Sequence, residues 1–139
     1  MSELTEAQIS LLKDEALRAR ESSYSPYSKF RVGAAVLTVD GHVITGANVE
    51  NALYGGAICA ERTAIVRSVA LGHRKFQAIA ISSDQEAPIS PCGICRQVIR
   101  EFFDLGAPVY MYSSSGDKCI VRTLEELLPL SFGPENLGQ

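Results

Sequence analysis

Apolar and polar positions follow two different periods along this chain, and the change of period separates predicted helices from predicted strands. Behind a capping box at Thr5 and Gln8, apolar residues recur every three or four positions, which predicts a first helix over 6–22. Two apolar segments over 30–39 and 42–49 flank Asp40 and Gly41, a strong signal for a β-hairpin turn. The chain therefore opens with one helix and a pair of strands.

Helices and apolar strands then alternate to the end of the chain. The pattern predicts helices over 59–71 and 92–105, a short helix after a second capping box at 123–126, and strands at 76–82, 109–112 and 119–121. This alternation predicts an α/β fold with a mixed sheet. A length of 139 residues suits a single domain over 1–139 with one core.

Charge and composition narrow the possible partners. The net charge is −3 and no run of lysine or arginine stands out, which disfavours nucleic acid as a partner because phosphate contacts need a basic face. The N-terminal residues 1–4 lack the basic-then-apolar order of a signal peptide, and no apolar run reaches membrane-spanning length. We therefore expect a cytoplasmic protein that binds neither nucleic acid nor membrane.

Three cysteines and one glutamate are the candidate chemical centre. Cys59, Cys92 and Cys95 lie at predicted helix starts, where unpaired N–H groups and the helix dipole favour the thiolate form that binds metal. Three thiolates can hold Zn²⁺ and leave its fourth position open for a nucleophilic water. Glu61 is two residues from a ligand, so it can exchange protons with that water without binding the metal.

Each of these residues also has a simpler interpretation. Cys92 and Cys95 alone fit a redox pair or half of a structural zinc site, although a structural site needs a fourth ligand. The remaining thiol, Cys119, is interpreted as a small core residue. Glu61 is also typical of an acid that complements a helix dipole. The two histidines, at positions 42 and 73, are interpreted as solitary surface residues.

One arginine is predicted to adjust the charge of the metal site. Zinc with three thiolates carries a net charge of −1, which makes a bound water less acidic. A guanidinium that donates hydrogen bonds to the sulfurs would offset this effect. Arg62 directly follows Glu61 and is our candidate, while Arg96, next to Cys95, is the rival for the same role.

Two polar segments are candidates for substrate contacts. Asn48 and Glu50 share one face at the end of a predicted strand, where they form either a solvated edge or a binding surface. The Ser/Tyr-rich loop over 22–28 is either a connector or a pocket wall. Gly55 and Gly56 allow a tight turn beside Tyr54.

Five motifs in a fixed order give the chain a resemblance to a known family. They are Phe-Arg-Val-Gly-Ala-Ala at 30–35, Asn-Val-Glu-Asn at 48–51, Cys-Ala-Glu-Arg-Thr-Ala at 59–64, Ser-Pro-Cys-Gly-Ile-Cys-Arg-Gln at 90–97 and Leu-Pro-Leu-Ser-Phe-Gly-Pro at 128–134. With them the chain resembles the small homotetrameric zinc cytidine deaminases over nearly its whole length. The Cys-x-Glu and Pro-Cys-x-x-Cys pair alone is shared more widely among zinc nucleobase deaminases.

The resemblance implies a fold, a reaction and a metal site. The expected fold is a three-layer α/β/α sandwich around a five-stranded mixed sheet. The expected reaction is hydrolytic deamination of cytidine and deoxycytidine to uridine and deoxyuridine by a zinc-bound hydroxide, with release of ammonia, in pyrimidine salvage. Cys59, Cys92 and Cys95 would bind one zinc per subunit. Glu61 would protonate the ring nitrogen N3 and then the departing amine.

The same resemblance implies the substrate contacts and the assembly. The backbone of Ala60 would contact the base and the Phe30 ring would pack on it, while Asn48 and Glu50 would bind the ribose hydroxyls. The protein would be a homotetramer with pockets shared between subunits, each completed by two aromatic residues of a neighbour, Tyr54 and Phe132.

Two departures from the family pattern keep other functions open. Arg31 stands where many members carry proline, and Gly-Gly-Ala at 55–57 is also similar to the aminonucleoside antibiotic deaminases. The alternatives are a deaminase for another small cytosine-bearing substrate such as the antibiotic or a nucleotide, a non-catalytic zinc-stabilised binding module, and an RNA- or DNA-editing enzyme. No basic cluster for a nucleotide phosphate lies near 48–54.

Overall fold

A computed structural model describes residues 3–139 of the chain. Of residues 1–4, on which the signal-peptide prediction rests, the first two therefore lie outside the described residues. Among the residues it describes, none of the helices has the length and apolar character needed to cross a membrane. Its main elements are α1 Glu6–Ala19, β1 Val32–Thr38, β2 Val43–Ala47, α2 Ala60–Ala70, β3 Phe76–Ser83, α3 Gly93–Phe102, β4 Pro108–Tyr112, β5 Cys119–Thr123 and α4 Leu124–Leu127.

The five strands form one mixed sheet, as the resemblance implied. Its order is β2-β1-β3-β4-β5, with β3 and β4 parallel and the other neighbours antiparallel. Helix α3 makes the crossover between the two parallel strands, and the predicted capping boxes at Thr5 and Thr123 begin α1 and α4. The α/β class and the mixed sheet are therefore confirmed.

Helices cover both faces of the sheet because alternate strand residues point to opposite sides. On one face Ala35 and Leu37 of β1 pack in a core with Leu12 and Ala16 of α1. On the other face, the neighbouring β1 residues pack in a larger core with residues of α2, α3 and α4. The protein therefore has three layers, with the sheet in the middle. Helices α2 and α3 lie side by side in one of the two helical layers.

Gly46 lets α2 approach β2 closely. A Cβ atom at this position would lie 2.3 Å from the backbone nitrogen of Ala64 and 2.8 Å from the carbonyl oxygen of Ala60. Both atoms belong to the helix backbone, so neither can move without shifting α2. The small residue in the strand therefore fixes the distance of this helix from the sheet.

We expect Gly46→Ala to lower the free energy of unfolding by about 3 kcal/mol, at the upper end for overpacking a core. Urea denaturation measures the change. Gly55→Ala is the control, because no described atom beyond its two chain neighbours lies within 4 Å of its added Cβ, and it should change stability by less than about 1 kcal/mol. Equal effects of the two substitutions would contradict the proposed close approach.

Several predicted boundaries differ by a few residues, each for a local reason. Helix α3 ends at Phe102 rather than at 105, because Phe103 turns to an extended conformation, forms a backbone bridge to Phe76 and stacks on its ring at 5.1 Å. Strand β1 begins at Val32 rather than at 30. Just before this strand, the Asn48 side chain donates a hydrogen bond to the carbonyl of Phe30 and accepts one from the N–H of Val32.

Two predictions about single residues are wrong. Cys119 is exposed rather than a core residue, because β5 is an edge strand whose side chains face outward. His42 and His73 are not solitary. Their rings lie 5.3 Å apart beside the carboxylate of Asp40, because the turn after β1 and the turn before β3 meet at one end of the sheet. His42 is exposed, as expected, but His73 is half-buried.

Candidate active site

Three thiols meet where the N-termini of α2 and α3 face each other. Cys59 and Cys92 are the N-cap residues of these helices, and Cys95 is buried in the first turn of α3. The three sulfurs lie within 4.8 Å of one another, and those of Cys59 and Cys92 are 3.7 Å apart. Sulfurs bound tetrahedrally to one zinc ion at about 2.3 Å lie about 3.8 Å apart.

The donor set fits zinc with one coordination position left over. Thiolates favour zinc over hard cations such as Mg²⁺. In the part of the chain that the structure describes, these three cysteines are the one group of histidine, cysteine or acidic side chains close enough to hold a metal. Cys119 belongs to β5 and not to this group, so no fourth cysteine closes the site. The arrangement matches a catalytic rather than a structural site.

Arg62 lies beside the thiols. Its Nη2 donates a hydrogen bond to the sulfur of Cys59 at 3.4 Å. The pKa of Cys59 is lowered to about 5, because Cys95 donates a hydrogen bond to its sulfur and Arg62 stabilises the thiolate. That shared proton and burial raise the pKa of Cys95. Cys59 therefore ionises before Cys95.

Arg96 serves a different purpose. Its guanidinium donates to the carbonyl oxygens of Pro91 and Leu127 and to the hydroxyl of Ser90. These contacts fasten the segment before α3 to the end of α4. Of the two rival arginines, Arg62 is therefore the one with a donor directed at sulfur.

Glu61 is the buried acid of the site. It lies in the first turn of α2 and is only 4% exposed. Burial raises the pKa of its carboxyl group to about 7, and the neighbouring Cys59 thiolate acts in the same direction. An acid with a pKa near neutrality can both take up and release a proton at physiological pH.

A cleft of about 570 Å³ opens above the thiols and Glu61. Four of the predicted substrate-binding residues line it, namely Asn48, Glu50, Tyr54 and Ala60. The other two, Phe30 and Phe132, are not among its lining residues. Phe30 is half-buried beside Asn48, whose Nδ2 donates to its carbonyl oxygen at 2.8 Å.

Asn48 and Glu50 already have partners inside the chain. The Oδ1 atom of Asn48 accepts hydrogen bonds from the N–H of Val32 and the hydroxyl of Ser23. Glu50 accepts from the N–H groups of Tyr27 and Ser28 and from the Ser28 hydroxyl. One N–H of the Asn48 amide and lone pairs on Glu50 remain free. Together they offer one donor and one acceptor to a ligand.

Phe132 is held at the surface by α3. Gln97 donates to the Phe132 carbonyl at 2.8 Å, and the buried Arg100 contacts Ser131 and Glu135 on either side. The residue remains 58% exposed. An aromatic side chain is thus presented outward on a fixed backbone.

The contacts of one loop could not be predicted from the sequence. Tyr27 and Ser28 line a second hollow of about 370 Å³, next to the cleft and sharing Glu50, Tyr54 and Ala57 with it. Of the loop interpreted as either a connector or a pocket wall, the end at Tyr27 and Ser28 is therefore a wall, and Ser22 at its start is not a lining residue. Its backbone bonds to Glu50 depend on tertiary structure, and no spacing in the sequence indicates them.

A family model and the described geometry agree on the class of this protein. The model for the zinc-binding region of cytidine and deoxycytidylate deaminases matches residues 6–111, which include the three cysteines, Glu61 and most of the cleft. The chain belongs to the cytidine and deoxycytidylate deaminase family.

Individual relatives are similar over most of their length. A cytidine deaminase from Sporosarcina psychrophila is 49% identical over 124 residues, covering 89% of this chain and 90% of that protein. One from Halalkalibacterium halodurans is 47% identical over 128 residues, covering 92% and 96%. The crystal structure of cytidine deaminase from Burkholderia pseudomallei superposes with a TM-score of 0.84 at 43% identity, covering 93% of this chain and all of that chain (100%).

Proposed function

We propose that the protein is a zinc-dependent cytidine deaminase, which hydrolyses cytidine and deoxycytidine to uridine and deoxyuridine and releases ammonia. The observation that carries this proposal is the buried Glu61, with a pKa raised to about 7, beside three clustered thiols at the base of a cleft. The names of the similar proteins point to the same substrate. Such a reaction belongs to pyrimidine salvage.

Cys59, Cys92 and Cys95 would hold one zinc ion per subunit. The fit rests on the donor chemistry and on the 3.7 Å separation of the Cys59 and Cys92 sulfurs. When bound, zinc supplies a Lewis acid that makes a water in its open position nucleophilic near neutral pH. Arg62 would hold the cluster in the ionised form through its bond to Cys59.

Glu61 would carry the protons of the reaction. It takes a proton from the attacking water and delivers it to N3 of the cytosine ring, which makes C4 more electrophilic. A new C4–O bond forms, and the hydroxyl on C4 gives its remaining proton to Glu61. Glu61 passes this proton to the exocyclic amine, the bond between C4 and that amine breaks and a C4 carbonyl remains, so that one water is consumed and one ammonia is released. Its burial excludes bulk water, since only 4% of the residue is exposed.

The cleft would select a nucleoside without a phosphate. A sugar hydroxyl can accept from the free N–H of Asn48 and donate to Glu50, matching the one donor and one acceptor that remain there. The cation among the described lining residues is Arg62, which already bonds to Cys59. A nucleotide phosphate would therefore meet the Glu50 carboxylate without a compensating cation among the described lining residues, since Lys29, whose charge acts on Glu50, does not line the cleft.

We retain the proposal of a homotetramer with shared pockets. It is supported by the exposure of Phe132, at 58%, whereas Tyr54, at 78% exposed, lines the cleft of its own subunit. Phe132 is not a lining residue of its own cleft, so a neighbouring subunit's pocket is a reasonable place for it. The cytoplasmic location also remains a prediction, supported by four cysteines that are free thiols.

A panel of substrates at equal concentration tests the proposal. We expect cytidine and deoxycytidine to be turned over at rates within about tenfold of each other, and deoxycytidylate at least about a hundredfold more slowly, as expected for an unpaired charge near a carboxylate. Product formation is followed by chromatography. Preferential turnover of deoxycytidylate or of a cytosine-bearing antibiotic nucleoside would contradict the assignment.

A further inference from the structure

One hydroxyl group connects two of the proposed substrate contacts. The Oγ of Ser28 donates a hydrogen bond to Oε2 of Glu50, the acid proposed to bind the sugar. The same Oγ accepts a hydrogen bond from the backbone N–H of Phe30 at 3.0 Å, the residue proposed to pack on the base. Ser28 therefore lies between the two ends of the expected nucleoside.

The backbone around Ser28 is shaped to keep this hydroxyl in place. The N–H groups of Tyr27 and Ser28 both donate to Oε1 of Glu50, at 3.0 and 3.1 Å. Lys29 then adopts a φ of +60°, a left-handed conformation that residues with a Cβ rarely take. Strained backbone of this kind persists where the surroundings hold it, and it clusters at functional sites.

The contacts also determine which way the Glu50 carboxylate points. Its Oε1 is occupied by two backbone donors, and its Oε2 is directed at the Ser28 hydroxyl. Ser28 holds the pKa of Glu50 below its usual range, so the group remains an ionised acceptor. Without the hydroxyl, Oε2 would lose its only side-chain partner among the described residues. The Glu50 carboxylate would then be held only through Oε1 and could turn Oε2 toward solvent.

We propose that Ser28 is a positioning residue, which orients Glu50 to accept a hydrogen bond from a sugar hydroxyl. This inference rests on the proposed function, because it requires Glu50 to contact the sugar. Ser28 itself touches no reacting atom, so its effect should fall on binding rather than on the chemical step.

The test compares Ser28→Ala with the wild-type enzyme on cytidine and on 2′,3′-dideoxycytidine, which lacks the 2′- and 3′-hydroxyls of the sugar and keeps the 5′-hydroxyl. For cytidine we expect KM to rise about fivefold with kcat nearly unchanged, the size expected for weakening one charge-assisted hydrogen bond. For dideoxycytidine we expect a change of less than about twofold, because the bond that Ser28 orients is already missing. Ser28→Thr, which keeps the hydroxyl, should restore most of the cytidine KM.

Ser22→Ala is the matched control, because it removes an exposed hydroxyl from the same loop and should leave both KM values unchanged. Thermal denaturation of each variant separates a positioning role from loss of the fold. An equal loss with both substrates, a loss confined to kcat, or no change would each overturn the proposal for Ser28. If the wild type has the same KM for the two substrates, Glu50 does not bind the sugar hydroxyls. The role proposed for Ser28 is then excluded as well.

Discussion

Glu61→Gln is expected to lower kcat for cytidine about a thousandfold, within the range of general acid–base catalysis. Glutamine has nearly the same shape and fills the same buried position, but it cannot take up and release a proton. The wild-type carboxyl group suits that task, because burial raises its pKa to about 7. Initial rates at saturating cytidine measure the loss, and zinc content should equal that of the wild type.

The alternative interpretation of Glu61, an acid that only complements the helix dipole, predicts a different result. Glu6→Gln is the matched control, because Glu6 is also an acid in the first turn of a helix but lies on the exposed surface of α1. We expect this control to retain full activity. If the two variants had similar activity, Glu61 would have no special role in proton transfer.

Cys95→Ala is expected to abolish zinc binding at equimolar metal and to reduce activity by at least about a thousandfold, since two thiolates do not make a stable zinc site. Cys95 is buried in the first turn of α3, and among the described residues no other group can replace its sulfur. Zinc content by mass spectrometry and turnover of cytidine on the same sample measure both effects.

Cys119→Ala provides the control for removal of a cysteine. Its side chain is exposed on β5, so zinc content and activity should remain those of the wild type. Two other results would contradict the account. Retention of zinc by Cys95→Ala would mean that the metal is held elsewhere, and loss of zinc without loss of activity would mean that the metal is not part of the reaction.

The sequence was sufficient for the fold where local signals were strong. Both capping boxes are formed by the residues that predicted them, and each apolar strand segment became a strand of the sheet. The three cysteines could be grouped before the structure because they lie at predicted helix starts, and a strand between two helices can bring two helix N-termini to the same end of a sheet. That expectation follows from chain topology, which needs no knowledge of side-chain packing.

What the sequence could not supply depended on long-range contacts. The end of α3 is decided by the stacking of Phe103 on Phe76, which are distant in the chain. The exposure of Cys119 follows from the position of β5 at the sheet edge, because a short apolar strand looks the same at an edge and at the centre. The role of Ser28 depends on its hydrogen bond to Glu50, 22 residues away.

Zinc content and cytidine turnover measured on one preparation of the wild-type protein test the proposed function directly. The account predicts one zinc per chain and a fall in cytosine absorbance, with one uridine and one ammonia formed for each cytidine consumed. One zinc per chain without any uridine would contradict it, because the three thiols would then hold a metal that serves only to stabilise a binding module.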